Sequence, residues 1–286
     1  MASQVTRRAG LAALLSVPLA GCSPSSVLDL FVPDSSYRGE MGIEYGVHPR
    51  QKLDVFQPLD SAVPRPWPLV VFFYGGSWTR GEREHYRFVG ESLATHGIVA
   101  IVADYRLSPE VRYPEFLGDC SWAVRWAVNH AAALGADPRR IYLMGHSAGA
   151  YNAAMLALDR RWLASAGLID LRLAGWVGIA GPYDFLPIRN PDAQVAFNWP
   201  GTSPDTQPIN YASSRAPRTL LLAPTEDDKV NPQRSTVGLA KRLQDSGAKV
   251  QHKLFDGVGH MTIVAAMARP LTWYAPVLPE VLAFLK

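Results

Sequence analysis

Ile141-Tyr-Leu-Met-Gly-His-Ser-Ala-Gly-Ala150 is an apolar strand that ends in Gly145-His146-Ser147-Ala148-Gly149 and opens onto an alanine-rich segment. The pattern reads as a nucleophile elbow. A serine on a sharp strand-to-helix turn lifts its Oγ above the sheet, and only small residues two positions to either side tolerate that turn. Gly145 and Gly149 stand there. The Ala148 N–H would face the same space as Oγ, at the N-terminus of the following helix, and would stabilise an oxyanion.

Outward from the elbow, strand and helix patterns alternate. Short strands are predicted at 42–45 and 52–56, and a buried run at 69–73 lies between Pro68 and Gly75-Gly76. A helical segment over 82–95 and a buried strand at 98–103 follow. A helix over 114–134, opening on proline, then leads to the elbow strand. Beyond the elbow helix come strands at 175–180 and 219–223, a helix at 232–244 and a strand at 249–255. Such alternation implies an α/β fold whose mostly parallel sheet is covered on both faces. Ligands of these sheets sit beyond the carboxyl ends of the strands.

With 286 residues, 48% of them apolar, the chain holds enough material for one sizeable core. A net charge of +3 is small for this length, and no basic run is interleaved with aromatics, which argues against a nucleic-acid partner. Histidines and cysteines lack metal-ligand spacing, so no metal is expected.

An alcohol is a poor nucleophile at neutral pH, so Ser147 needs an imidazole to take its proton and return it to the leaving group. Of the seven histidines, His260 in Gly257-Val-Gly-His-Met261 follows the strand at 249–255 and is the expected base. His146 is expected to point away across the turn, and His48, His85, His96, His130 and His252 fall in helices or peripheral loops. An acid must then hold the imidazole in its productive tautomer. Thr225-Glu-Asp-Asp-Lys-Val230 offers three adjacent candidates, Glu226, Asp227 and Asp228, after the strand at 219–223. Asp184, in Gly181-Pro-Tyr-Asp184, is expected to fix its own turn.

Tyr45-Gly46, Gln51-Lys-Leu-Asp-Val-Phe-Gln-Pro58, Asp104-Tyr-Arg-Leu-Ser-Pro-Glu110, the elbow and Gly259-His260 together resemble the α/β-hydrolase superfamily, near its carboxylesterase, feruloyl esterase and kynurenine formamidase-like branches. The resemblance extends from residue 42 onward. It implies the α/β-hydrolase fold: a mostly parallel eight-stranded sheet, helices on both faces, a small or absent cap and no cofactor. The triad order Ser, Asp, His is the one these enzymes use. The distance to Val230 in the hydrolases that this segment resembles selects Asp227 as the acid, with Asp104-Tyr-Arg-Leu107 as a structural corner.

Phe73-Tyr74-Gly75-Gly76-Ser77-Trp78 is similar to the His-Gly-Gly-x-Trp loop of esterases and formamidase-like hydrolases. The similarity assigns oxyanion-binding N–H groups to Gly76 and Ser77, beside that of Ala148, and close backbone approach to Gly75. Tyr74 replaces the histidine that normally braces this loop. Tyr74, Gly75 and Trp78 are placed at the substrate. Segment 183–211, short and rich in proline with Phe197, Trp199 and Tyr211, predicts a small cap over an open aromatic pocket suited to modest acyl or aryl groups. The implied reaction is cleavage of a small-molecule ester through an acyl-enzyme. An amide-cleaving hydrolase and a non-enzymatic binding module share the same residues.

At the N-terminus, Arg7 and Arg8 precede an apolar stretch over 11–20 that is too short to span a bilayer, the pattern of a secretory signal. Leu19-Ala20-Gly21-Cys22 resembles the lipobox of bacterial lipoproteins, in which the chain is cut before cysteine and the thiol carries lipid. Ser23 resembles the outer-membrane sorting choice. The resulting organisation is a signal at 1–21, a tether at 22–40 and a catalytic domain at 41–286. Its expected location is the bacterial cell envelope, with the membrane as partner through lipidated Cys22 at the outer membrane, facing the periplasm. Cys120 is expected to be an inert core cysteine.

Overall fold

Runs of β-branched and aromatic residues too short for helices form the middle of one sheet. A computed structural model of the chain describes residues 28, 32–59 and 63–286; segment 1–21 and Cys22 lie outside the described residues. The strands are β1 (Arg38–Glu44), β2 (Lys52–Gln57), β3 (Trp67–Phe73), β4 (Val99–Ala103), β5 (Ala136–His146), β6 (Gly175–Ile179), β7 (Thr219–Pro224) and β8 (Val250–Phe255). Their spatial order is β1-β2-β4-β3-β5-β6-β7-β8. β2 pairs antiparallel with β1 and with β4, and every other pairing is parallel. All residues of β3, β4, β6 and β7 are buried. Because successive strand side chains point to opposite faces, both faces of the sheet centre must be covered.

The helices are α1 (Arg87–Ala94), α2 (Glu115–His130), α3 (Ala148–Leu158), α4 (Arg160–Ser165), α5 (Pro191–Ala196), α6 (Gly238–Asp245), α7 (Thr262–Ala265) and α8 (Val277–Leu285). Helix α3 is buried at every position, as an alanine-rich helix behind a nucleophile elbow must be to sit close against the sheet. Between β6 and β7 the chain forms only α5 and two 3₁₀ turns, Pro204–Thr206 and Pro208–Tyr211, so the cap is small.

Three elements differ from the sequence reading. The sheet begins at Arg38, inside the expected tether: Arg38 pairs with Gln57, Tyr37 packs its ring 4.9 Å from Phe56, and Ser36 Oγ donates to buried Glu91. β1 is exposed over most of its length, so it has no apolar alternation to betray it and is specified by its backbone pairing with β2. The helix predicted over 82–95 opens as a 3₁₀ turn, Arg83–Tyr86, before α1. The helix predicted over 232–244 opens as a π turn, Gln233–Val237, before α6.

Candidate active site

The elbow is built from backbone proximity. Ser147 sits at φ 54°, ψ −121°, a conformation that costs energy for any residue but glycine, and its N–H donates to the Ile179 carbonyl at 2.9 Å. A Cβ on Gly145 would fall on the Gly149 carbonyl, and one on Gly149 would fall on the Phe73 carbonyl. Only glycines allow β3, β5 and α3 to meet here.

Ser147 follows β5, Asp227 follows β7 and His260 follows β8, and the three side chains meet above the carboxyl ends of the strands. Ser147 Oγ lies 2.8 Å from His260 Nε2, and His260 Nδ1 lies 2.7 Å from Asp227 Oδ2. A carboxylate only accepts, so the His260 proton sits on Nδ1 and Nε2 is free to accept from the serine hydroxyl. Asp227 Oδ1 accepts from the N–H groups of Lys229 at 2.8 Å and Val230 at 3.0 Å, which gives the distance to Val230 a physical basis. Burial pushes the Asp227 carboxyl up. The hydrogen bond to His260, its charge and the two backbone donors outweigh that and hold it below the ordinary carboxylate range. Asp228 points to solvent and pairs with Lys229 at 2.8 Å, while Glu226 is exposed on the cleft rim. The fold therefore brings Asp227, and neither neighbour, to the imidazole.

Across the serine stands the loop after β3. A Cβ on Gly75 would lie 2.8 Å from Ser147 Cβ, so glycine is what allows the loop to touch Ser147. Gly76, Ser77 and Trp78 follow one another at positive φ (130°, 53° and 61°), which turns successive N–H groups the same way. Among the described residues, the N–H groups of Gly76, Ser77 and Ala148 have no acceptor within the protein. Such groups can take up a developing negative charge without reorganising. Trp78 is buried in an aromatic cluster, 4.7 Å from Phe197 and 5.2 Å from Tyr151, with Nε1 donating to Asn152 Oδ1 at 3.0 Å, and one edge reaches the cleft.

Tyr74 requires a correction. Its side chain is fully buried and does not line the cleft. The hydroxyl donates to Asp104 Oδ1 at 2.8 Å and accepts from Arg50 Nη2 at 2.7 Å, and the ring stacks on Tyr105 and Tyr86. Asp104 also accepts from the Arg83 N–H at 2.8 Å and its Nη1 at 2.6 Å. Burial, then the Asp104 charge, pushes the Tyr74 phenol up, so it remains a donor. Tyr74 is the brace of the loop, and Asp104-Tyr-Arg-Leu107 supplies its anchor.

Three further expectations are corrected. The cleft, about 1420 Å³, is not walled by the expected aromatics: Phe197, Trp199 and Tyr211 do not line it, whereas Phe185, Ile188, His85, Arg189 and Asn190 do. Phe197 is drawn into the core around Trp78, Tyr113 and Phe116, and the Tyr211 ring lies 5.7 Å from the Arg161 guanidinium. Asp184 does not fix its own turn but accepts two hydrogen bonds from Arg234, at 2.7 and 2.9 Å. His146 does not point away. Its Nε2 lies 2.9 Å from the His260 main-chain oxygen.

Cys120 is a free, buried thiol, pushed up by burial and then by Asp119. Among the described residues, no group of three or more His, Cys, Asp or Glu side chains is placed to hold a metal ion, and no helix is long and apolar enough to cross a membrane.

The profile of the BD-FAE family matches residues 53–243, a span that contains Ser147 and Asp227 and stops short of His260. The Arabidopsis thaliana protein named probable isoprenylcysteine alpha-carbonyl methylesterase ICMEL1 is 28% identical over 246 residues, covering 76% of this chain and 50% of its own length. Esterase LipC of Mycobacterium tuberculosis is 27% identical over 234 residues, covering 76% of this chain and 58% of its own. The chain thus spans about half the length of the curated relatives it matches. Among solved structures, Thermogutta terrifontis esterase 2 phosphorylated by paraoxon superposes with a TM-score of 0.71 at 23% identity, over 87% of this chain and 93% of that one. The profile match takes in most of the sheet and the elbow, and the superposition extends that agreement to the fold as a whole: the chain belongs to the BD-FAE family and has the α/β-hydrolase fold.

Proposed function

We propose that the protein is a serine carboxylesterase acting on small-molecule esters. The carrying observation is the unbroken Ser147–His260–Asp227 hydrogen-bond line, at 2.8 and 2.7 Å, facing three unclaimed N–H groups. Ser147 Oγ attacks the ester carbonyl as its proton passes to His260 Nε2. Asp227 stabilises the imidazolium, and the N–H groups of Gly76, Ser77 and Ala148 hold the oxyanion. The C–O bond to the leaving alcohol then breaks, and that oxygen takes the proton from His260. Water, deprotonated by the same imidazole, attacks the acyl-enzyme, and Ser147 leaves as its alkoxide recovers the proton. Each donor aimed at the oxyanion contributes about 10²–10³ in rate. The named relatives, methylesterase and esterase, support an ester as the substrate.

The leader supports a second element of the reading: Cys22 carries lipid and holds the catalytic domain at the outer membrane, facing the periplasm. Acyl-lipid labelling that disappears in Cys22→Ala is the expected result, and labelling that persists contradicts it.

The substrate test is a panel of acetyl, butyryl and feruloyl esters beside formyl-aryl amides. Hydrolysis of the esters, with amides slower, is expected. Faster turnover of the amides would assign an amidase, and no turnover of either would leave the fold as a binding module.

A further inference from the structure

We propose that His146, between Gly145 and Ser147, is a positioning residue for the base: its imidazole ties the His260 main chain to the nucleophile turn and so sets the Ser147–His260 separation. The inference rests on the triad reading above and adds a residue to it.

His146 Nε2 lies 2.9 Å from the carbonyl oxygen of His260, 114 residues away in sequence. A carbonyl only accepts, so Nε2 carries the proton and donates. The ring is fully buried and lies 5.1 Å from the His260 ring, centre to centre. On its other side a Cβ added to Gly75 would come within 3.1 Å of Nδ1. One rigid ring thus fills the space between the oxyanion loop and the base loop, on the residue bonded directly to the nucleophile.

The base loop has few other fastenings. The Gly259 N–H donates to Thr262 Oγ1 at 2.7 Å within the same stretch of chain; from outside it, Tyr274 Oη donates to the Gly257 carbonyl at 2.7 Å, Thr225 Oγ1 donates to Asp256 Oδ1 at 2.6 Å, and Asp227 Oδ2 accepts from His260 Nδ1 at 2.7 Å. Among the described residues, two hydrogen bonds join the elbow to His260: Ser147 Oγ to Nε2, and His146 Nε2 to the main chain. The first is broken and remade in every turnover, because it is the path of the proton. The second takes no part in the transfer, so it holds the loop while the first is open.

His146 Nδ1 is buried without a hydrogen-bond partner. An unsatisfied buried acceptor is destabilising, and an apolar side chain would avoid it. Stability alone does not account for histidine here; the donor at Nε2 does. Burial, and next the His260 charge, push this imidazole down to about 3. It therefore stays neutral when His260 becomes an imidazolium beside it.

The test compares His146→Gln, His146→Asn and His146→Leu by steady-state hydrolysis of p-nitrophenyl acetate. Glutamine carries an amide nitrogen at the reach of Nε2, asparagine carries one too short to bridge, and leucine carries none. Expected are kcat within about threefold of the parent for Gln and about 10–100-fold lower for Asn and Leu, the scale of a misplaced catalytic group, with KM nearly unchanged in all three. Wild-type kcat in the Asn or Leu variant, or an equal loss in Gln and Leu, overturns the proposal. The Asn variant carries the comparison if Leu fails to fold. Should the parent protein hydrolyse no ester, the carboxylesterase reading fails by itself, and the positioning role is read from the downfield proton resonance of the His260–Asp227 hydrogen bond. That resonance should persist in Gln and be lost in Asn and Leu; the same spectrum in all three would refute the role.

Discussion

The two sides of the cleft are held by different means. The nucleophile and its donor loop are set into the interior: α3 is wholly buried, Tyr74 is locked to Asp104 and Arg50, and Trp78 is wedged among Tyr151, Phe116 and Phe197. The acid and base ride on loops after β7 and the largely exposed edge strand β8, fastened by a few bonds of 2.7–3.0 Å. Oxyanion donors must be fixed before charge develops, whereas an imidazole needs only its tautomer and its distance to the serine held. The core side should therefore respond to substitution in stability, and the loop side in rate.

Replacing Asp227 gives the largest expected effect. Asp227→Asn should lower kcat by about 10⁴ while leaving the urea midpoint nearly unchanged, because the amide fits the same space but favours the wrong imidazole tautomer. Asp228→Asn, at an exposed residue paired only with Lys229, should stay within about twofold of the parent. A damaging Asp228→Asn would reverse the assignment of the acid.

On the core side, Tyr74→Phe leaves Asp104 and Arg50 each short of a buried partner. It should cost about 1–3 kcal/mol in chemical denaturation, with a smaller loss of kcat from a loosened donor loop. Unchanged stability would show that the hydroxyl braces nothing.

The pH dependence of stability carries the next effect. The His146 imidazole sits at about 3 in the native state because it is buried, next because His260 lies beside it. Unfolded, it titrates near about 6.5. Between those values the unfolded chain binds a proton that the native state refuses, so stability falls as pH falls, by up to about 1.4 kcal/mol per pH unit. Asp227, held below the ordinary carboxylate range, adds its own loss only as the pH drops below that range. Urea midpoints measured from pH 7 to 4 should decline less steeply in His146→Gln; parallel declines would contradict the assignment. Smallest of all, Tyr274→Phe removes one exposed hydrogen bond to the base loop and should lower kcat slightly while leaving the urea midpoint nearly unchanged; a lowered midpoint with unchanged kcat would contradict the division.

Sequence legibility follows the same division. The central strands are legible because burial on both faces writes them as unbroken apolar runs, as in Leu69–Phe73 within β3. Edge strand β1 is legible only from residue 42 onward; its first half, 38–41, faces water, and its pairing with β2 carries no side-chain pattern. Ser147 and His260 are legible from elements and order, whereas Asp227 is singled out from Glu226 and Asp228 only by the resemblance to known hydrolases. The brace of Tyr74 is not, because Arg50 and Asp104 come from different loops and nothing in the local pattern joins them. His146 is the sharper case: its neighbours in sequence suggest a side chain lost beneath the turn, and only the return of the chain 114 residues later gives it an acceptor. Phe197 misled for a related reason. An aromatic residue in a cap segment reads the same whether it faces a ligand or, as here, fills the space around Trp78.

The central claim is that Ser147 is a nucleophile activated by His260. Incubation of the purified protein with paraoxon, followed by intact-mass measurement and peptide mapping, tests it most directly. One phosphoryl adduct on Ser147, absent in Ser147→Ala and formed far more slowly in His260→Ala, is the expected result. An unmodified protein, or an adduct on another residue, would contradict it.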